Sequence, residues 1–229
     1  MTTWPNRDLD LKMAALMKVK ISPNVLERPA FITISREYGC DGMDLAWFLA
    51  EELNKKKNVV PWRLFDRESL VKIASPEEID HDMLDVLDKY GHSEFMGYIQ
   101  EALFGKKNQH EVVQNMAKIM RMLARRGNVI FLGRGGSVIT RDIPGGFHFR
   151  MVSHSDWRVA NHGRRHQISL EEAQKRLEKN QHKRESFVKT YLAEELSNPE
   201  LYNLIINNSK VSVKQAGKMI LSLVNDYLT

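Results

Sequence analysis

Two glycine-bearing turns in the sequence carry residue types that bind phosphate. The first runs from Ser35 to Gly42, with Arg36 ahead of its glycines Gly39 and Gly42, and the second is Gly133-Arg134-Gly135-Gly136. Glycine lets a ligand approach the backbone closely, amide N–H groups at a helix N-terminus attract anions, and a guanidinium group can bind phosphate oxygens through two parallel bonds. The two turns therefore predict a site for a phosphate-bearing ligand.

The first turn lies between a predicted strand and a predicted helix. Phe31-Ile32-Thr33-Ile34 is a short apolar run of strand-forming residues, and the residues after the turn recur at helical spacing: Leu45, Ala46, Phe48, Leu49 and Leu53. The order is that of a P-loop, but no lysine occurs between Lys20 and Lys55. A phosphate loop and an ordinary glycine turn of an α/β protein are both compatible with this pattern.

Two further predicted strands end on polar residues. The second strand runs from Val59 to Asp66 and is followed by Arg67, and Val129-Ile130-Phe131-Leu132 ends on the second glycine turn. Ligands of open α/β sheets collect beyond the carboxyl ends of the strands, so both ends are candidate binding positions. Asp66 could face a ligand, cap a helix from Glu68 to Ala74, or do both. Arg134 could bind phosphate or pair with a carboxylate.

Helices and strands alternate through the rest of the chain. The periodicity predicts a helix over Val112 to Arg126, a fourth strand over Phe147 to Val152 and a fifth over Tyr202 to Ser209. Helix starts are expected at Ser155 or Asp156, at Ser169 and at Ser212, and the last helix should pack inward through Val213, Ala216, Ile220 and Leu223. This pattern predicts an α/β fold in three layers, a five-stranded parallel sheet flanked by helices.

Composition limits the class of protein. The chain has 229 residues and a formal charge of +5, and no apolar run approaches the ~20 residues of a membrane span. The basic residues cluster in 161–192 without a base-reading motif, which does not favour nucleic-acid binding. Such a run is usually a solvated face, but arginines that close over a triphosphate would have the same pattern. The one cysteine, Cys40, fits a reducing cytoplasm and is interpreted as a small spacer.

Two segments have no assigned chemistry. Residues 1–28 form a predicted N-terminal helical extension that could pack on the domain or mediate a homodimer. The carboxylates Asp80, Asp82, Asp85 and Asp88 are interpreted as a solvated helix face, because they lack the glycine and the final glutamate of a calcium loop.

The ordered succession of these motifs resembles the cytidylate-kinase-like family of P-loop nucleoside monophosphate kinases. The resemblance is carried by Ile32 to Gly42, Asp66-Arg67, Gly133-Arg134-Gly135 and Tyr202 to Ser209, and it spans Phe31 to Leu223. It implies a P-loop kinase-like domain over 29–229, a helical nucleotide-binding insertion at 75–111 and a basic lid at 161–192. The missing lysine is a trait of that family, whereas Cys40, Asp41 and Met43 depart from its usual loop.

The family's function implies transfer of the γ-phosphoryl group of ATP to a pyrimidine nucleoside monophosphate such as CMP, with Mg²⁺, in the cytoplasm. The implied partners are small-molecule nucleotides. The residues matching its motifs are, for catalysis, Arg36, Arg134, Arg158 and Arg184; for ATP, Ser35, Tyr38, Gly39, Cys40, Asp41, Gly42, Met43, Arg164 and Arg165; and for the acceptor, Asp66, Arg67, Gly133 and Gly135. No residue is assigned to a metal.

The alternative is a catalytically inactive nucleotide-binding or scaffold protein on the same fold. Asp41 puts a negative charge where a phosphate should lie, and Leu132 takes the place of an acid that organises magnesium in related kinases. Activity would require backbone N–H groups between Tyr38 and Asp44 that are not already bonded within the protein.

Overall fold

The structure is a computed structural model that describes residues 28–55, 61–66, 68–70 and 109–228. Residues 1–27 of the predicted N-terminal extension, the aspartates at 80–88, Arg67 and all but the last three residues of the predicted insertion at 75–111 lie outside the described residues.

The described residues contain a five-stranded sheet in which all paired strands are parallel. Its strands are β1 (Phe31–Arg36), β2 (Arg63–Phe65), β3 (Val129–Leu132), β4 (Gly146–Val152) and β5 (Leu204–Asn207), in the order β2-β3-β1-β4-β5. In the central strand, Ile34 is in register with Leu132 on one side and Phe149 on the other. The predicted parallel α/β sheet is confirmed.

Helices cover both faces of this sheet. They are α1 (Gly42–Leu53), α2 (Gln109–Arg126), α3 (Gly136–Ile139), α4 (Ser155–His166), α5 (Leu170–Leu192) and α6 (Val213–Leu228). On one face, α1 and α6 bury Leu49 and Ile220 against Ile34. On the other face, α2 and α3 bury Met120 and Ile139. The apolar periodicity of each helix thus supplies one side of a layer.

Some predicted helix boundaries hold and others shift. The Ser169 Oγ accepts a bond from the Glu172 N–H (3.2 Å), which confirms that cap. Helix α4 has His154 at its N-cap, so the prediction of Ser155 or Asp156 there is wrong by one residue or two. In α6 the buried residue that follows Ile220 is Val224, whereas Leu223 is 40% exposed. The prediction that Leu223 packs inward is therefore wrong.

The connections after β1 and β3 define a crevice at the carboxyl edge of the sheet. These strands are neighbours, but β1 leads into α1 on one face and β3 leads into α3 on the other. The two turns consequently leave the sheet in opposite directions, and ligands of open α/β sheets bind in such a crevice. Within the described ranges, no helix has both the length and the apolar character needed to cross a bilayer.

Candidate functional site

A cleft of about 250 Å³ lies at this crevice. Its walls are the end of β1 from Thr33 to Arg36, the turn after β3 from Leu132 to Ser137, and one side of α5. Both glycine-bearing regions singled out by the sequence contribute to it, because β1 and β3 are adjacent in the sheet.

Positive charge dominates the cleft. Its described lining includes Arg36, Arg134, Lys183 and Arg184, and no aspartate or glutamate occurs among the described residues that line it. Burial, together with repulsion from Arg184 and Arg134, lowers the pKa of Arg36 to about 9. The negative charge of Asp66 acts in the opposite direction. Neighbouring like charges repel one another and are stabilised by a bound anion, so the cleft suits a phosphate-bearing ligand.

The turn after β3 is a run of left-handed backbone. The φ angles are +81° at Gly133, +55° at Arg134 and +68° at Gly135. The Gly133 N–H donates to the Ile34 carbonyl (2.9 Å), which ties the turn to the end of β1. A left-handed arginine costs roughly 1–2 kcal/mol, and backbone strain of this kind is found mainly at functional sites.

The Arg134 side chain is held by an aromatic ring. Its guanidinium carbon lies 4.9 Å from the ring centroid of Phe187 on α5, which is within the range of a cation–π contact. Helix α5 therefore positions an arginine of the β3 turn as well as contributing Lys183 and Arg184 of its own.

Tyr38 joins the β1 turn to α4 and α5. Its ring lies 5.0 Å from the Arg184 guanidinium carbon and 4.9 Å from the His162 ring. Its N–H donates to the Gln181 Oε1 (2.8 Å), and its carbonyl accepts from the Arg158 Nη1 (3.2 Å). The basic segment 161–192 thus contacts the β1 turn through both the backbone N–H and the ring of Tyr38.

Three N–H groups of the β1 turn already have partners within the protein. The Tyr38 N–H is bonded to Gln181, the Cys40 N–H to the Glu37 carbonyl (3.2 Å), and the Asp41 N–H to the Asn208 Oδ1 (2.7 Å). The expectation that the amides of this turn are unbonded is wrong for these three. Two of the acceptors are side-chain carboxamides, which are brought to the turn by α5 and by the end of β5.

Asp41 is neutralised from within the fold. Its carboxylate accepts from the Asn161 Nδ2 (2.8 Å) and from Arg165, which also donates to Asp44 (2.9 Å). Hydrogen bonding to Asp44 and the charges of both carboxylates raise the pKa of Arg165. This guanidinium therefore lies between two carboxylates at the start of α1. Nearby, Arg164 donates to the Asn161 Oδ1 (2.8 Å).

The predicted arginines consequently fall into two groups. Arg36, Arg134 and Arg184 line the cleft. Arg158, in contrast, is nine-tenths buried, with its Nε donating to the Ser153 carbonyl (3.0 Å) and lying 3.4 Å from the Glu37 Oε2. Arg158 and Arg165 thus bond to the β1 turn and the start of α1 from the side of α4, whereas Arg164 bonds to Asn161 within α4 itself.

The other predicted site residues differ in position. Ser35, Tyr38, Gly133 and Gly135 line the cleft, while Cys40 and Met43 pack against the core under α1. Burial, followed by the charge of Glu37, raises the pKa of Cys40 to about 12, as expected of a spacer.

Two more predicted residues have structural contacts of their own. Gly39 has φ +94°, and an added Cβ would lie 2.8 Å from the Arg158 carbonyl oxygen, so this glycine allows α4 to pack closely against the turn. The Asp66 Oδ1 accepts from the Ser69 N–H (3.0 Å), which confirms its capping role.

Four residues of α5 that were not assigned to the site also line the cleft: Asn180, Lys183, Phe187 and Val188. Together with Arg184 they recur at intervals of one, three and four residues, which places them on one side of a helix. This spacing was available in the sequence, but the charge run around it was equally typical of a solvated face.

The described part of the cleft offers no carboxylate ligand for a protein-held magnesium ion. Mg²⁺ binds carboxylate and other oxygen ligands, whereas the described lining is cationic and β3 ends on Leu132. No group of three His, Cys, Asp or Glu side chains suited to a metal occurs among the described residues. Phosphate groups, in contrast, match the charge of the lining.

Comparison with known proteins adds a family and a fold. A family model described as the cytidylate kinase-like family matches residues 31–210. A crystal structure of an uncharacterized protein from Eubacterium ventriosum is similar with 21% identity and a TM-score of 0.65, covering 87% of this chain and 99% of that one. Dephospho-CoA kinase from Campylobacter jejuni matches with 13% identity and a TM-score of 0.36, covering 87% and 97%. No curated protein matches significantly.

The family match includes β1, the β3 turn, α5 and β5, which are the elements that form or flank the cleft. It covers well over half of the chain. The protein belongs to the cytidylate kinase-like family.

Proposed function

We propose that this kinase-like protein transfers the γ-phosphoryl group of ATP to a pyrimidine nucleoside monophosphate such as CMP. The observation that carries the proposal is the cleft at the β1–β3 crevice, whose described lining supplies four cationic side chains and no carboxylate. A cytoplasmic location and nucleotides as small-molecule partners belong to the same proposal.

The chemistry required of the protein is positioning and charge stabilisation. An oxygen of the acceptor phosphate attacks the γ-phosphorus, the bond from that phosphorus to the β–γ bridging oxygen breaks, and ADP leaves with the electron pair. Arg36, Arg134 and Arg184 bind and orient the phosphate oxygens, and their charges oppose the negative charge of the transition state. Phe187 and Tyr38 hold two of these guanidinium groups and exclude water from one side.

The test is a phosphotransferase assay with purified protein, ATP with Mg²⁺ and a panel of nucleoside monophosphates. We expect ADP formation that depends on a pyrimidine monophosphate and that is lost in Arg134→Ala. Arg141→Ala is the matched control, since Arg141 is exposed and pairs with Glu194 at 3.5 Å, away from the described lining of the cleft. Turnover that survives in Arg134→Ala would contradict the assigned role.

A second candidate is a nucleotide-binding protein without turnover. The observation that favours it is the set of bonded N–H groups in the β1 turn, together with the Asp41–Arg165 pair at the start of α1. Micromolar binding of ATP or CMP without any ADP formation across the panel would favour this candidate over the enzyme.

A further inference from the structure

Arg36 crosses from the start of α1 to the turn after β3. It is the last residue of β1, and its Cβ, Cγ and Cδ atoms run alongside Gly42, the first residue of α1. Its guanidinium group ends beside Gly133, where an added Cβ would overlap the Nη1 and lie 3.3 Å from the Cζ. One side chain thereby connects the two turns that form the crevice.

Both glycines leave the space that this path requires. A Cβ added to Gly42 would lie 2.9 Å from the Arg36 Cγ and 3.2 Å from its Cβ and Cδ, closer than side-chain atoms normally approach. Gly42 has ordinary helical backbone, unlike Gly133 with φ +81°, so its backbone conformation does not require a glycine. Helix geometry therefore does not explain a glycine at position 42, whereas the close contact with the Arg36 side chain does.

The backbone of Arg36 is fixed as well. Its carbonyl accepts from the Arg184 Nη1 (3.0 Å), and Arg36 is in register with Met151 of β4, while the pairing of β1 with β3 ends at Ile34. Within the described part of the chain, no carboxylate oxygen lies within 4 Å of the Arg36 guanidinium. Arg36 therefore brings a positive charge into the cleft without an ion-pair partner among these residues.

We propose that Arg36 supplies, from the end of β1, the phosphate-binding cation that a P-loop normally carries as the lysine after its last glycine, and that Gly42 and Gly133 position it. In a P-loop that lysine reaches the β- and γ-phosphates from the start of the helix. Here the position after Gly42 is Met43, which packs under α1. The inference rests on the proposed function only in taking a phosphate chain as the ligand.

The experiment measures binding of inorganic pyrophosphate by isothermal titration calorimetry at pH 7.5. We expect Arg36→Met to weaken binding by about 10-fold or more, because a charge-assisted hydrogen bond contributes roughly 1.5–3 kcal/mol. Gly42→Ala should also weaken it several-fold. Arg141→Met, which removes an equal charge outside the described lining of the cleft, should change it less than twofold.

The double variant separates positioning from direct contact. If Gly42 acts through Arg36, adding Gly42→Ala to Arg36→Met should change affinity by less than twofold. An equal loss from Gly42→Ala in both backgrounds would overturn the positioning role, because the new methyl group would then obstruct the ligand itself. Failure of the wild type to bind pyrophosphate, or full affinity in Arg36→Met, would overturn the proposal. Circular dichroism checks that each variant is folded.

The pH dependence of pyrophosphate affinity distinguishes direct binding by Arg36 from a purely structural role, which would leave that dependence unchanged. The guanidinium faces Arg184 from α5, Arg134 from the β3 turn and Asp66 from the end of β2. Burial lowers the pKa of Arg36 to about 9 in the free protein, and a bound anion favours the charged form. The loss of affinity caused by Arg36→Met should therefore shrink as the pH rises above 9, whereas the last ionisation of pyrophosphate affects both proteins alike. Pyrophosphate binding with these properties, but without phosphoryl transfer, would reject the proposed enzyme and keep this inference.

Discussion

Replacement of Arg134 by glycine should affect binding and folding differently. Arg134 has φ +55° and lies between two glycines that are also left-handed. The substitution removes a guanidinium group from the cleft and at the same time relieves a strained backbone position. A residue kept for ligand binding at the expense of local strain should show a large loss of affinity with little or no loss of stability.

The magnitude follows from four contributions. Relief of the left-handed conformation stabilises the fold by roughly 1–2 kcal/mol. The added freedom of glycine in the unfolded chain opposes this by about 0.4–1 kcal/mol. Loss of the contact with Phe187 costs about 0.5–1 kcal/mol, and relief of repulsion with Arg36 acts in the opposite direction. The free energy of unfolding should therefore stay within about 1 kcal/mol of the wild type, whereas loss of a charge-assisted contact should weaken phosphate binding by roughly 10- to 150-fold.

The assay combines urea unfolding, followed by circular dichroism, with calorimetric binding of CMP and pyrophosphate. Ala193→Gly is the matched control, because Ala193 has φ +51° at the end of α5 and is outside the described lining of the cleft. It should show the same backbone relief with unchanged binding. A loss of more than about 2 kcal/mol of stability in Arg134→Gly, with affinity intact, would refute a ligand-binding role and make this arginine a structural residue.

Three further outcomes are expected. Asp41→Gly should tighten pyrophosphate binding several-fold, since it removes one negative charge from the β1 turn. Calorimetry that shows unchanged or weaker binding would contradict this. Burial lowers the pKa of His148 to about 4, so the unfolded chain binds more protons than the folded protein below pH 6.5. The free energy of unfolding should therefore fall as the pH is lowered from 6.5 to 4. His148→Gln should reduce this pH dependence by up to about 1.4 kcal/mol per pH unit, measured by urea unfolding. The Cys40 thiol, with a pKa of about 12, should react with iodoacetamide at pH 8 far more slowly in native than in urea-unfolded protein, as mass spectrometry can follow.

The parallel sheet could be predicted because its determinants are local. Apolar runs such as Val129–Leu132, which end on glycine turns, specify buried strands without reference to any distant residue. The miss at Leu223 has a local cause too, since α6 buries Val224, one residue further along the helix. A pattern of apolar residues alone does not fix which of two adjacent leucine or valine positions faces the sheet.

The partners of the arginines could not be predicted from the sequence. Arg158 and Arg184 are both arginines of predicted helices, yet one lies 3.4 Å from Glu37 and the other lines the cleft. That difference depends on the positions of α4 and α5 around the β1 turn, which only the tertiary structure gives. The same holds for Gln181 and Asn208, which are 143 and 167 residues from the amides they bond.

These two carboxamides have a consequence for how a nucleotide would enter. A phosphate group that bonds the Tyr38 and Asp41 N–H groups would have to replace these two oxygens, so its arrival would be an exchange of hydrogen-bond partners. The net enthalpy of that step would be the difference between two similar sets of hydrogen bonds, and the step would require Gln181 on α5 to release the Tyr38 N–H. Crystals grown without nucleotide should accordingly resist soaking, whereas co-crystallisation leaves α5 free to rearrange.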